Sequence, residues 1–159
     1  MSHVSSIPGG LRAGLNVIIR GQVPADTDDR FIIDFQTGDE TGDEAAQNIA
    51  FHSSLYVNSG LIVRNSKIDG SWGTSDDSYI LNVKAGQQFL INIFVKSDVY
   101  SVAINNETLY EFAHRVPLAQ TDHLHVHANC IVDSVIFKYT ETVDTRILNT
   151  TTEYSYSNA

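Results

Sequence analysis

The chain has 159 residues, of which 42% are hydrophobic and 18% are charged, and its formal net charge is −9. A chain of this length can bury the core of one domain, and an acidic balance without a basic stripe excludes nucleic acid as an expected partner. The single cysteine excludes an internal disulfide, and no apolar stretch is long enough to predict membrane insertion. Because the N-terminus lacks the apolar core of a signal peptide, we expect a cytoplasmic protein.

Short apolar runs separated by turn residues recur along the chain, and this pattern predicts an all-β sandwich. The clearest alternation lies near the N-terminal end, where Phe31, Ile33 and Phe35 share one face, while Ile32 and Asp34 share the other. The predicted strands cover residues 15–20, 30–36, 49–56, 61–65, 79–83, 88–96, 100–105 and 108–114 and the run 124–139.

An acidic loop over residues 37–48 interrupts this pattern and holds Asp39, Glu40, Asp43 and Glu44. The favoured interpretation is a solvated loop, because such acidic segments are usually exposed. Two alternatives stay open: a lid that contacts a ligand, or a set of carboxylates that binds Ca²⁺ or a basic partner.

The C-terminal segment, residues 140–159, is rich in Ser, Thr and Asn. It is predicted to be a flexible tail, to which Ile147 and Leu148 could add one edge strand. The predicted globular domain therefore covers residues 1–139.

Three neighbouring strands in the middle of the chain carry side chains suited to sugar recognition. In the first strand His52 shares a face with Ser54 and Tyr56, opposite the large apolar side chains. Asn65 lies in the next strand, and Trp72 follows a hairpin-type turn that permits an exposed ring. Polar groups of this kind can bind sugar hydroxyls, while an aromatic ring offers a flat apolar plate for the C–H face. We therefore predict a sugar-site layout, although a lone Trp is more often a core residue.

The run of residues 49–73 resembles the signature of the galectins, the β-galactoside-binding lectins. The resemblance covers about residues 7–139 and implies a galectin-type jelly-roll of two antiparallel sheets, with the sugar groove on the concave sheet. The further segments that carry it are Gly14-Leu15, Arg20-Gly21, Arg30-Phe31-Ile32-Ile33-Asp34-Phe35, Tyr100-Ser101-Val102-Ala103-Ile104-Asn105 and Phe112-Ala113-His114-Arg115-Val116-Pro117-Leu118.

The chain keeps part of the family's binding pattern and changes its charged part. Galectins carry His-x-Asn-x-Arg on one strand; here His52 stays, Ser54 replaces Asn and Tyr56 replaces Arg. The family's Asn on the next strand and its stacking Trp are both present. In the Trp-Gly-x-Glu-x-Arg pattern that follows, Ser75 replaces Glu and Asp77 replaces Arg. The resemblance implies a base of the site made by the retained residues and a rim shaped by the replaced ones.

The size of these losses decides how they affect binding. Charge-assisted hydrogen bonds contribute about 1.5–3 kcal/mol each, whereas millimolar to micromolar binding totals about 4–8 kcal/mol. Loss of the Arg–Glu–Arg set is therefore expected to weaken lactose binding strongly. Because the arginines and their acidic partner are missing together, no orphan charge of that network remains, which favours a respecified groove.

A second distinctive run places His123, His125 and His127 on one face of a predicted strand. Such imidazoles could hold Zn²⁺ or Cu²⁺ or could sense pH. Since same-face neighbours lie about 7 Å apart, one ion between two of them plus a ligand from a neighbouring strand is easier than one ion on all three. The resemblance places this strand in the convex sheet, away from the groove. A solvated polar face is favoured, and no metal or other cofactor is expected.

These observations lead to three hypotheses. The first is a galectin-like carbohydrate-binding protein, not an enzyme, with altered or weakened β-galactoside specificity, whose partner is a glycan such as a galactose-containing one. The alternative is a galectin-related protein without sugar binding that acts through protein contacts, with a homodimer as one form. The third is a metal-dependent jelly-roll enzyme, which a His-x-His pair allows but which lacks the expected acid and glycine spacing. The resemblance also leaves open export to the extracellular space without a signal peptide.

Overall fold

A computed structural model describes residues 2–41, 47–141 and 150–157 of the chain. The described residues form thirteen strands and one short 3₁₀ helix, Leu118–Gln120. Among the described helices, none is long and apolar enough to cross a membrane. The strands are β1 His3–Ser6, β2 Leu15–Gln22, β3 Arg30–Gln36, β4 Ile49–Tyr56, β5 Leu61–Ile68, β6 Ser71–Trp72, β7 Asp76–Tyr79, β8 Gln88–Val95, β9 Val99–Ile104, β10 Glu107–Ala113, β11 His123–Ala128, β12 Ile131–Glu141 and β13 Thr150–Ser157.

The strands pair in two antiparallel sheets, which confirms the predicted β-sandwich. One sheet has seven strands in the order β1-β11-β3-β4-β5-β6, and β7 also pairs with β5. We call it the groove sheet. The second sheet has six strands in the order β10-β9-β8-β2-β12-β13. Strands distant in sequence are thus neighbours, as β1, β11 and β3 illustrate.

The apolar side chains between the two sheets form one core, and stacked aromatic rings lie at its centre. The ring of Phe51 stacks on Tyr100 with 4.7 Å between centroids and on Phe112 with 4.9 Å. Phe31 stacks on Phe89 from the other sheet at 5.0 Å. Replacing Phe51 by Ala would lower the free energy of unfolding by about 3–5 kcal/mol. Burial of these alternate residues also fixes which side chains of the groove sheet point away from the core.

The predicted run 124–139 is two strands that belong to different sheets. Strand β11 lies in the groove sheet between β1 and β3, whereas β12 lies in the opposite sheet between β2 and β13. The chain crosses between them at Ala128, which has a φ of 71°. Alanine rarely adopts this backbone conformation, so the sequence gives no sign of the crossing.

The predicted strand over residues 79–83 is also wrong in position. The strand is β7, Asp76–Tyr79, which pairs with β5 so that Leu61 lies opposite Tyr79 and Arg64 lies opposite Asp76. It is held by backbone hydrogen bonds at a sheet edge and its side chains are mostly exposed. Because it lacks apolar alternation, hydrophobic periodicity does not detect it.

The C-terminal segment contributes β13, which pairs with β12 at the edge of the second sheet. Strand β12 itself extends to Glu141. The residues Ile147 and Leu148 in the tail, like Asp43 and Glu44 in the acidic loop, lie outside the described residues.

Candidate functional site

One row of cross-strand neighbours carries most of the polar chemistry of the groove sheet. His125 on β11 lies opposite Asp34 on β3, Asp34 lies opposite His52 on β4, and His52 lies opposite Asn65 on β5. Directly opposite residues point to the same side of a sheet. We call the side that bears these residues the groove face. It points away from the aromatic core.

The groove face carries an open groove of about 540 Å³. This volume is within the range of about 300–1,000 Å³ that small-molecule sites occupy. The lining residues come from β3, β4, β5, β6 and β11 and from the end of the acidic loop: Arg30, Ile32, Asp34, Gln47, Ile49, His52, Ser54, Tyr56, Val63, Asn65, Lys67, Trp72, His125 and His127. The groove therefore joins the predicted sugar residues with part of the histidine run.

His52 is held in one orientation by hydrogen bonds at both ring nitrogens. Its Nδ1 lies 2.6 Å from Oδ1 of Asp34, and its Nε2 lies 3.1 Å from Oγ of Ser54. Because an ionised carboxylate only accepts, the proton is on Nδ1, and in the neutral ring Nε2 accepts from the Ser54 hydroxyl. Ser54 is thus a partner of His52 as well as a lining residue.

Trp72 is exposed and forms one wall of the groove. Its exposed fraction is 50%, which excludes the alternative of a core tryptophan. The tight turn that brings it there uses positive φ angles of 52° at Asp69 and 81° at Gly70. The indole meets the ring of His52 edge-on with 4.7 Å between centroids, and Nζ of Lys67 lies 5.9 Å from the indole centroid. This wall of the groove therefore presents a flat apolar ring with a cation beside it.

Asn65 is fixed by residues behind the groove. Its Nδ2 donates to the carbonyl of Gly73 at 2.9 Å, and its Oδ1 accepts from the backbone N–H of Ser66 at 2.8 Å and from Nη1 of Arg115 at 3.1 Å. The same guanidinium donates to the carbonyl of Thr74 at 2.8 Å. A Cβ at Gly73 would lie 2.9 Å from Nη1 of Arg115, so a larger residue there would shift the guanidinium. Arg115 thereby helps to hold the amide of Asn65, which lines the groove, in one orientation.

The remaining predicted residues lie at different places. Tyr56 lines the end of the groove away from Trp72, where the guanidinium of Arg30 lies 5.9 Å from its ring centroid. Asp77 lies opposite Val63, a lining residue, and therefore points to the groove face at the sheet edge. Asp77 and Ser75 are both exposed and do not line the groove. The structure therefore brings together five of the seven predicted sugar residues: His52, Ser54, Tyr56, Asn65 and Trp72.

The histidine run is placed differently from the expectation. Since β11 pairs with β3, it lies in the groove sheet and not in the opposite sheet. His125 is 5% exposed and lines the groove with His127, so the predicted solvated face is wrong for these two residues. His123 is the exception, because its Nδ1 lies 2.9 Å from Oδ1 of the largely exposed Asp122 outside the groove.

Asp34 connects the two sets of residues and is nearly buried. Its Oδ1 accepts from His52, and its Oδ2 accepts from Nε2 of His127 at 2.9 Å. Burial alone would raise the pKa of Asp34, but the hydrogen bonds from His127 and His52 outweigh it and hold the pKa below its ordinary value. Burial lowers the pKa of His125 from 6.5 to about 4. At neutral pH the groove thus contains an ionised carboxylate beside a neutral imidazole.

Several groove residues have roles that the sequence patterns did not assign. Alternation along β3 could have placed the side chain of Asp34 on the groove face. Lys67 could have been placed there in the same way, because it follows Asn65 by two residues on β5. The positions of Arg30 and Gln47 depend on how the strands pair. Nothing in the sequence indicates that Arg115 reaches Asn65, because the two residues are 50 positions apart.

The chain matches relatives of one protein family. It is 33% identical to galectin-4 of Bos taurus over 138 residues, which covers 86% of the chain and 40% of that protein. It is 32% identical to galectin-7 of Homo sapiens over 133 residues, 84% of the chain and 94% of that protein. The chain thus spans about two fifths of the galectin-4 proteins and nearly all of galectin-7.

Solved structures give the same result. A variant of human galectin-16 superposes with a TM-score of 0.75 at 26% identity, covering 85% of this chain and 93% of that one. Sheep galectin-11 in complex with glycerol superposes with a TM-score of 0.75 at 28% identity, covering 84% and 94%. The family model described as galactoside-binding lectin matches residues 2–137. These relatives are lectins and not enzymes, and the chain belongs to the galactoside-binding lectin family, the galectins.

Proposed function

We propose that the groove binds a carbohydrate and that its specificity differs from ordinary β-galactoside recognition. The observation that carries the proposal is the convergence of His52, Asn65 and Trp72 on the groove face. The exposed indole lies beside the His52 ring, and Asn65 faces His52 from the next strand. A sugar ring needs an apolar plate for its C–H face and fixed polar groups for its hydroxyls, and these three side chains supply both.

The proposal of altered specificity is supported by the residues that replace the family's charged set. Ser54 and Tyr56 stand where the family has Asn and Arg, and the Ser54 hydroxyl is engaged with His52. Ser75 and Asp77 stand where it has Glu and Arg, and both lie outside the groove lining. Each missing charge-assisted hydrogen bond is worth about 1.5–3 kcal/mol, so lactose affinity should be low.

Two cationic side chains line the groove at positions other than those of the family's arginines. Lys67 lies beside Trp72, and Arg30 lies beside Tyr56 at the other end. Both line the groove, with the ionised Asp34 between them. We expect a preferred glycan to stack on the indole and to present acceptor groups to Lys67 or Arg30.

A fluorescence titration with lactose tests this proposal, because Trp72 is the sole tryptophan of the chain. We expect a weak or absent response to lactose and galactose, with sucrose as the control sugar. A glycan array then tests for other carbohydrates. Saturation at low millimolar lactose, worth about 4 kcal/mol or more, would show that specificity is not altered. An array without any bound glycan would contradict sugar binding itself.

One observation favours a second candidate, a galectin-fold protein that acts through protein contacts. The polar groups of the groove partly satisfy one another, since Ser54 bonds His52 and the Asn65 carbonyl is occupied by Ser66 and Arg115. A ligand would have to compete with these bonds. This candidate predicts a negative glycan array together with a stable protein complex or self-association in light scattering.

A further inference from the structure

A compact set of donor atoms lies at the β11 side of the groove. Asp34, His125 and His127 each offer one ligand atom, and these atoms all lie within 4.8 Å of one another. The three residues come from two adjacent strands, since Asp34 on β3 is directly opposite His125 on β11. All three side chains line the groove. The set is therefore accessible to a solute that enters the groove.

The two imidazoles are already arranged side by side. Their rings are parallel within 8° and their centroids are 3.8 Å apart. Residues two apart on a strand are usually about 7 Å apart at Cα, so the rings have converged above the strand. A metal ion lies in the plane of each imidazole that binds it, so the two stacked rings must tilt before both direct a nitrogen at one ion. The set would then supply two ligands from one strand and one from its neighbour.

His125 lines the groove although only 5% of its surface is exposed, and one of its ring nitrogens belongs to the donor set. A neutral imidazole has one unprotonated nitrogen, whose lone pair can bind a metal ion. An ion in the groove could accept this lone pair.

Asp34 has the support that a metal-binding carboxylate needs. Its Oδ1 is held by Nδ1 of His52, which leaves Oδ2 directed at His127. Oδ2 and Nε2 of His127 lie 2.9 Å apart, and an ion bound to both would replace the hydrogen bond between them. The proton of the neutral His127 ring would then be on Nδ1, which leaves the Nε2 lone pair for the ion. His52 would act as the outer partner that orients the ligand.

We propose that Asp34, His125 and His127 form a binding site for a divalent transition metal ion of the Zn²⁺ class. Two nitrogens and one carboxylate oxygen suit such an ion, whereas Ca²⁺ and Mg²⁺ prefer oxygen ligands. Tetrahedral zinc with bonds of about 2.0–2.2 Å needs ligand atoms about 3.4 Å apart. Side-chain rotation must therefore widen the 2.9 Å separation between Oδ2 of Asp34 and Nε2 of His127 and bring the whole set, now within 4.8 Å, to that spacing. Three protein ligands leave a fourth position that faces the groove. The proposal does not depend on sugar binding.

Calorimetry with Zn²⁺ on the full chain tests the proposal, after removal of metals with a chelator and at neutral pH. We expect saturable binding of one ion per chain. His125→Gln and His127→Gln should each weaken it by about 100-fold or more, since loss of a residue that merely orients a ligand already costs about 10- to 100-fold. His123→Gln is the matched control, since this histidine lies on the same strand but bonds Asp122 outside the groove. It should leave the affinity unchanged.

The Co²⁺-loaded protein supplies a second readout, because a tetrahedral site with nitrogen ligands absorbs visible light strongly. The control variant His123→Gln should keep that spectrum.

Thermal melts show whether each variant is folded. If His125→Gln unfolds, His127→Gln alone decides, since its side chain is 26% exposed and tolerates polar replacement better. Absence of saturable Zn²⁺ binding would overturn the proposal. So would binding that His123→Gln weakens as much as His127→Gln. Neither readout uses a sugar, so failure here is separate from failure of glycan binding.

Discussion

The row of cross-strand neighbours His125, Asp34, His52 and Asn65 on the groove face has two ends that differ in origin. At one end, His52, Asn65 and Trp72 lie on the consecutive strands β4, β5 and β6. At the other end, Asp34 meets His127, which is 93 positions later in the chain. The first end follows a local pattern that a reader of the sequence can recognise. The second exists only because β11 inserts beside β3, so chemically important groups can assemble without any local motif.

Asp34 joins the two ends, and its replacement should have the largest effect. In Asp34→Asn the amide oxygen could still accept from one of His52 and His127, but without the charge, and the amide NH2 would turn a donor toward the N–H of the other. We expect a loss of about 2–4 kcal/mol in the free energy of unfolding, measured with urea, and weaker binding of any glycan found.

The control for Asp34→Asn is Asp122→Asn, which breaks the exposed pair with His123. Exposed pairs of this kind contribute about 1 kcal/mol or less. Equal losses for the two variants would show that the buried carboxylate does not hold the two ends together.

Acidification should act on the β11 end. The folded chain keeps His125 neutral down to about pH 4, whereas the unfolded chain protonates it near 6.5. The unfolded state therefore binds more protons in this window, and stability decreases as pH falls through it, by at most about 3 kcal/mol. The lowered pKa of Asp34 adds a further loss below that window.

Urea midpoints measured from pH 7 to pH 4 without metal test this pH dependence. His125→Gln should flatten the profile, since glutamine does not titrate. A variant that keeps the full slope would assign the effect to other groups, such as His3, whose pKa burial also lowers.

The Trp72 end should affect binding without affecting stability. Trp72→Ala removes a half-exposed plate, so the unfolding free energy should change little, while glycan affinity should fall by about 2 kcal/mol or roughly 30-fold. Calorimetry measures the affinity, because the variant has no tryptophan to follow. Tyr79→Ala on β7 is the control, since this ring is 73% exposed and lies outside the groove. Equal weakening by both variants would place the glycan elsewhere.

The smallest effect is expected for Arg115→Lys, behind the Trp72 end. Lysine keeps the charge but cannot bond Asn65, Ser66 and Thr74 together as the guanidinium does. We expect about tenfold weaker glycan binding, which is about 1.4 kcal/mol, with little change in Zn²⁺ binding. Unchanged glycan affinity would show that Asn65 needs no such support.

The sequence could predict those parts of the site that depend on strand parity. Burial of Phe51 and Leu55 turned His52, Ser54 and Tyr56 to the groove face, as alternation required. The resemblance implied that the histidine run lies in the convex sheet, and this was wrong because β11 pairs with β3 in the groove sheet. Residues 124–139 were predicted as one run, although they form the two strands β11 and β12. The crossing at Ala128 has an uncommon φ for that residue and leaves no turn signature. Strand β7 was misplaced because an edge strand with exposed polar residues shows no hydrophobic period.

By itself, the sequence determined the all-β class and the face of β4 that bears His52, because burial parity and turn chemistry are local properties. It also determined the family, through the resemblance of its motifs to the galectin signature. Only the tertiary structure decided which strands became neighbours. That choice placed Asp34 between His52 and His127, set Arg115 behind Asn65 and moved two histidines into the groove. The physical reason is that strand order is set by how two sheets bury a common core, and that energy depends on the whole chain at once.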